Sequence, residues 1–119
     1  VSGIGLRLRV TNAVRMAQFY RQAFGANSTE EGQCRLGDSV LLFEDSTDPG
    51  PASPPYQGTG YRYITVQIFD CNQEHARILA LGAEEGRAPH TIGTTTRFSF
   101  VRDPDGNWIE VSQRFELTG

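Results

Sequence analysis

The sequence predicts an α+β chain built from two tandem β-α-β-β-β modules, and three observations carry that prediction. Apolar and polar residues alternate through residues 4–10 and again through 61–68, the period-two pattern of a half-buried strand. Each alternating run leads into a stretch of helical period that stops at a Gly-Ala pair, Gly25-Ala26 and Gly82-Ala83. An offset of 58 places Leu6, Leu8 and Val10 on Ile64, Val66 and Ile68, and an offset of 57 places one Gly-Ala pair on the other. Strand, helix and stop therefore recur in one order, as in an internal repeat.

The first strand puts Ile4, Leu6, Leu8 and Val10 on one face and Gly5, Arg7 and Arg9 on the other. Asn12 can cap a helix over about Ala13 to Phe24, where Met16, Ala17, Tyr20, Ala23 and Phe24 form an apolar stripe. Gly25 ends it as a C′ residue. The polar stretch 26–37 reads as short strands of a meander, and Ser39 to Glu44 as a firmer strand. Four of the six prolines, Pro49, Pro51, Pro54 and Pro55, together with Gly50, Gly58 and Gly60, exclude regular structure over 45–60.

The pattern then restarts with a strand over Tyr61 to Ile68. Asp70, followed three residues later by Gln73, opens a second helix whose buried side is expected to carry Ala76, Leu79 and Ala80 and whose end is Gly82. Arg97 to Val101 and Asn107 to Ser112 read as strands joined by the turn Asp103-Pro104-Asp105-Gly106, with Pro104 setting φ and Gly106 at a position that favours glycine. Several short strands after each helix, instead of one strand and another helix, argue against a doubly wound sheet. The expected layout is a single domain over 1–119: module one at about 1–45, a linker at about 46–60 and module two at about 61–119.

A chain of 119 residues with 38% apolar and 21% charged residues is globular in composition and long enough to bury a core without staples. The net charge is −3 and all eleven basic residues are arginines scattered without a basic stripe, so nucleic acid is not an expected partner. Apolar runs fall far short of the roughly 20 residues that span a bilayer, and no charged-then-apolar leader opens the sequence. The expected location is cytoplasmic, with no membrane partner. Cys34 and Cys71 make neither a C-x-x-C pair nor a cluster with histidine, so neither a disulfide nor a structural zinc site is expected.

Phe19-Tyr20 in the first helix, the stops Phe24-Gly25 and Leu81-Gly82-Ala83, and the run Phe100-Val101-Arg102-Asp103-Pro104-Asp105-Gly106-Asn107-Trp108-Ile109-Glu110-Val111 resemble the vicinal-oxygen-chelate superfamily. This is the glyoxalase I, bleomycin-resistance and extradiol-dioxygenase group. The likeness covers nearly the whole chain, and its most specific part is Asp-Pro-Asp-Gly-Asn followed by an apolar-Glu-apolar strand. It implies that the two modules curve into a sheet cup that holds a small organic molecule, usually with a divalent metal, and that the chain forms a homodimer.

The resemblance places the metal ligands on the first and last strands of each module. The first-strand positions are Gly5 and Tyr63, neither of them a usual ligand. The last strand of module two offers Glu110, and that of module one Leu42 or Glu44. Two carboxylates without an imidazole are too few for tight transition-metal binding. No cofactor is therefore expected, and a divalent metal on Glu110 and Glu44 is the alternative. His75 reads as a structural helix residue. His90, between Pro89 and Gly93, reads as a loop residue, either solvated or acting as a general base.

With the apolar strand faces turned to the helices, the cup would present Arg7, Arg9, Tyr61, Tyr63, Thr65, Gln67, Trp108 and Glu110, an aromatic and polar lining suited to a ring-bearing ligand. Against this stand plainer roles: Arg7 and Arg9 as ion-pair partners of Glu110 or Glu44, and the aromatic residues as core or dimer packing. Two functions compete. One is metal-independent binding of an aromatic or natural-product ligand, similar to the bleomycin-resistance branch. The other is a lyase, isomerase or dioxygenase with Glu110 as catalytic base or metal ligand.

Overall fold

A computed structural model describes residues 2–25, 32–48, 50 and 55–114. The chain is α+β, as the sequence predicts, with two helices and two sheets in two compact units, Val1–Pro51 and Ala52–Gly119.

The first unit holds β1 (Gly5–Val10), α1 (Ala13–Phe24), β2 (Gln33–Leu36) and β3 (Ser39–Asp45). The part of the expected meander at 26–31 lies outside the described residues. β1 runs parallel to β3, from Gly5 beside Val40 to Val10 beside Asp45, and β2 pairs antiparallel on the other side of β3. Asn12 caps α1 by accepting a hydrogen bond from the Arg15 N–H at 3.0 Å. Gly25 closes the helix at φ +63°, its N–H donating to the Arg21 carbonyl, a backbone geometry that costs glycine little. Met16, Ala17, Phe19, Tyr20 and Ala23 are buried, while Phe24 sits at the margin of the stripe. Tyr20 packs against Phe43 of β3 with ring centroids 5.3 Å apart. Cys34 is fully buried, and desolvation pushes its thiol up to about 11 despite the nearby Arg21.

The second unit holds β4 (Tyr63–Gln67), α2 (Cys71–Ala80), β5 (Glu84–Ile92), β6 (Thr96–Arg102) and β7 (Trp108–Arg114), in the sheet order β4-β7-β6-β5. β4 is parallel to β7, and β6 is antiparallel to both β7 and β5. A crossover through α2 is what lets β4 and β7 run in the same direction. Asp70 caps α2, accepting from the Gln73 N–H at 3.1 Å.

The buried stripe of α2 is Cys71, His75 and Ile78, spaced i, i+4 and i+7; Ala76 and Ala80 are exposed and Leu79 is half-buried. The expected face was out of phase because a polar residue, His75, occupies the centre of the true one. His75 is a structural residue, as anticipated. One ring nitrogen, Nδ1, lies 2.7 Å from the Ser99 hydroxyl and the other, Nε2, 2.7 Å from a Glu85 carboxylate oxygen, so both polar atoms are satisfied. Ser99, Val101, Ile109 and Val111 are buried on the sheet face beneath this helix, and Cys71 Sγ donates to the Val111 carbonyl. Burial raises the Cys71 thiol above its ordinary range.

His90 lies in a strand, not in a loop. Pro89 signalled a break, but β5 is the edge of its sheet, and its pairing shifts register between Glu85 and Arg87 and between Arg87 and His90. Edges and bulges are where a strand accommodates a residue without an N–H. The turn after β6 forms as predicted, with the Gly106 N–H donating to the Asp103 carbonyl at 2.8 Å. The Asp103 carboxylate accepts from the Asp105 and Asn107 N–H groups and from the Asn107 side chain, which accounts for the Asp-Pro-Asp-Gly-Asn sequence in physical terms.

Candidate functional site

Strand alternation divides the second sheet into two faces. One is covered by α2; the other carries Tyr63, Thr65 and Gln67 from β4, Trp108, Glu110 and Ser112 from β7, and Phe98, Phe100 and Arg102 from β6. On that face Phe100 is buried and forms the hub. Tyr63 meets it edge-on at 5.0 Å, Trp108 at 5.7 Å and Phe98 at 6.1 Å between centroids. Perpendicular contacts of this kind suit the ring quadrupoles and hold the rings in fixed orientations.

Trp108 is held from several sides. The Arg102 guanidinium lies 4.9 Å from its ring centre. Gly86 lies under it so closely that a Cβ there would come within 2.4 Å of the indole Cζ3. Glycine at this irregular stretch of β5 is therefore what admits the indole. Glu110 is half-buried and accepts a hydrogen bond from the Thr65 hydroxyl at 3.0 Å across the β4–β7 pair.

The remaining members of the face were not legible as site residues. Tyr56, in the stretch assigned to the linker, lies over the hub at 4.5 Å from Phe100 and 5.2 Å from Trp108. Its hydroxyl accepts a hydrogen bond from Arg87 Nη1 at 3.1 Å. Arg87 also approaches the Phe98 ring, and His90 packs edge-on against Phe98 at 4.0 Å. Phe98 and Phe100 could have been found by folding β6 back on β7 through the Asp103–Gly106 turn, which sets Phe100 opposite Glu110. Tyr56 carried no comparable signal. Tyr61 is fully exposed and precedes β4, apart from the face to which it was assigned.

In the first unit Arg7 and Arg9 do not stand free. Both are directed to Glu44: Arg7 Nη1 hydrogen-bonds one carboxylate oxygen and Arg9 Nη1 lies 3.9 Å from the other. This is the plainer of the two roles weighed for these arginines, with Glu44 as the partner. Glu44 is thereby engaged by two cations.

The two registers also show which residues correspond. Gly5 pairs with Val40 and Tyr63 with Trp108, so Arg7 beside Leu42 answers to Thr65 beside Glu110. The counterpart of Glu110 is thus Leu42, and that of Glu44 is Ser112. The positions at which a metal ligand would be expected are Gly5 and Leu42 in the first unit, which offer no side-chain donor, and Tyr63 and Glu110 in the second, which offer one carboxylate; neither pair fits a transition-metal centre. Among the described residues no three of His, Cys, Asp and Glu gather as a metal-binding group.

The profile of the Glyoxalase/Bleomycin resistance protein/Dioxygenase superfamily matches residues 5–111. The chain belongs to this superfamily. A probable lactoylglutathione lyase of Vibrio cholerae is 27% identical over 118 residues, covering 89% of this chain and 86% of that protein. Solved structures of similar fold include TioX from a Micromonospora species, at 18% identity and a TM-score of 0.67, with 97% of this chain and 100% of that chain covered. The fosfomycin resistance protein FosX from Mesorhizobium loti gives 18% identity and a TM-score of 0.64, covering 95% and 90%. In this superfamily member no described helix is long and apolar enough to cross a membrane.

Proposed function

We propose that this chain binds a small, ring-bearing organic molecule, of natural-product type, on the aromatic face of the second sheet, and does so without a resident metal. The observation that supports this most directly is the convergence of Tyr63, Phe100 and Trp108 on one face, beside the polar groups of Glu110, Thr65 and Arg87. Ring walls supply contact area, and the few polar groups orient a ligand, the usual division of labour in small-molecule sites. FosX is a fosfomycin resistance protein, and sequestration or handling of an antibiotic is the corresponding role here. The proposal includes a cytoplasmic location and a single-domain chain that forms a homodimer, the last of which sedimentation would report.

The chain's single tryptophan makes the test direct, because Trp108 gives one indole N–H signal in an NMR spectrum. Titration with aromatic natural products should move that signal saturably. Tyr63→Ala, at a residue 42% exposed and so removable without emptying the core, should weaken binding by roughly 2- to 10-fold, the worth of one aromatic contact. A ligand that leaves Trp108 unmoved and is indifferent to Tyr63→Ala would place binding elsewhere.

Glu110, half-buried and hydrogen-bonded to Thr65, motivates the second reading, an enzyme with Glu110 as base or ligand. Loading with nickel, manganese and zinc decides between them. About one metal per chain, lost in Glu110→Ala, would overturn the metal-free proposal.

A further inference from the structure

Tyr56 has the position of a ligand more than that of a wall. Its ring lies 4.5 Å from Phe100 at an interplanar angle of 36°, a tilted contact that turns its face toward Phe100, whereas Tyr63, Phe98 and Trp108 all meet Phe100 at 84° to 88°. Trp108 and Tyr63 flank it at 5.2 and 6.3 Å. Its hydroxyl is the one polar atom of the ring, and Arg87 Nη1 donates to it at 3.1 Å. Unlike the walls, Tyr56 belongs to no strand. It sits on a turn closed by the Gly58 N–H to the Pro55 carbonyl at 3.0 Å, and the described residues 55–62 around it form neither helix nor strand.

From this we infer that Tyr56 is an internal occupant of the aromatic site, and that the site's ligands are phenol-like: a planar ring in the place of the Tyr56 ring and an oxygen acceptor at its far end held by Arg87. This rests on the proposed binding role of that face and specifies its chemistry. A guanidinium is a donor-only group, so it selects a hydroxyl, phenolate or carboxylate at that end over a hydrocarbon. A tethered ring has a high effective concentration at its own site, so an external ring binds only to the fraction of chains in which Tyr56 has swung out. Removing the tethered ring therefore raises apparent affinity by the reciprocal of that fraction.

The probes are p-cresol, which is the tyrosine side chain as a free molecule, and toluene, the same ring without the oxygen. Both are titrated into the full chain while the Trp108 indole signal is followed. Tyr56→Ala should bind p-cresol at least about 10-fold more tightly than the wild type. In that variant p-cresol should outbind toluene by about 10-fold, one charge-assisted hydrogen bond, and Arg87→Met should reduce the preference to near unity. Tyr56→Phe keeps the ring and loses the Arg87 bond, so it should fall between wild type and Tyr56→Ala, and it guards against misreading a folding defect as a loss of binding.

Equal p-cresol affinity in wild type and Tyr56→Ala, with ring ligands still moving Trp108, would overturn the occupant role while leaving the binding function intact. Tightening without any preference over toluene would overturn Arg87 as the selector. Absence of every ring ligand from Trp108 in all variants would overturn both this inference and the function on which it rests.

Discussion

The two units share a scaffold and differ in what they mount on it. In each, a capped helix follows a first strand that pairs in parallel with the last strand, and the caps Asn12 and Asp70 stand 58 residues apart, as do the strand starts Gly5 and Tyr63. On the first unit's pair the residues are Gly5, Arg7 and Arg9 beside Leu42 and Glu44, and the arginines are engaged by one exposed carboxylate. On the second they are Tyr63, Thr65 and Gln67 beside Trp108, Glu110 and Ser112, backed by Phe98 and Phe100. The same register thus supports a charged, solvated surface in one case and an aromatic one in the other. Backbone pairing depends on period-two alternation and caps, which both halves keep, whereas binding depends on side chains that alternation leaves free.

If the scaffolds are equivalent, corresponding core residues should be worth similar amounts. Leu41 and Ile109 occupy matching places on the last strands and are 5% and 0% exposed. Leu41→Ala and Ile109→Ala should each cost about 2–5 kcal/mol in urea unfolding, the range for a truncated core aliphatic. A large loss in one and a small loss in the other would break the equivalence.

The buried thiols sharpen the comparison at high pH. The folded value of about 11 for Cys34 stands above its ordinary 9.0 because burial penalises the thiolate. A raised folded value means that the unfolded chain loses its proton first. Stability is therefore whole below pH 9.0 and falls as the pH climbs toward about 11. The fall amounts to about 2–3 kcal/mol at 1.36 kcal/mol per pH unit. Cys71, also raised by burial, adds a slope of the same sign in the second unit. Unfolding curves of Cys34→Ala and wild type at pH 7 to 11 should converge as pH rises; parallel curves would remove Cys34 as the cause.

The repeat, both caps, the turn at Asp103–Gly106 and the α+β class were legible because each has a local physical signature. The rest had none, or a misleading one. The offset of 58 sets His75 on Ala17, an apolar residue buried in α1, so apolar periodicity alone points to a face of the second helix one position away from the buried one. Pro89 hid the long edge strand that brings Arg87 and His90 to the aromatic face. Tyr56 is placed by contacts with residues 7 to 52 positions away in sequence, which composition does not encode.

His75 gives the next test. His75→Ala restores the residue type of the first unit but strips partners from Ser99, which is fully buried, and from Glu85. The expected loss is about 1–3 kcal/mol, the cost of taking a hydrogen-bond partner from a buried polar group. Adding Ser99→Ala should then cost less than it does in the wild-type background, since the hydroxyl has already lost its histidine partner and keeps Cys71. Full additivity would mean that the two residues do not act as a unit.

The smallest effect belongs to the charged surface. The side chains of Arg7, Arg9 and Glu44 are 56%, 66% and 42% exposed, so water and salt screen them, and Glu44→Gln should change stability by less than about 1 kcal/mol. What change there is should shrink further between low salt and 1 M, where the screening length is about 3 Å. Ligand binding at the aromatic face should be indifferent to the substitution. A loss of ring-ligand affinity in Glu44→Gln comparable to that in Tyr63→Ala would mean that the first unit's charges take part in binding, and the division of labour between the two units would have to be redrawn.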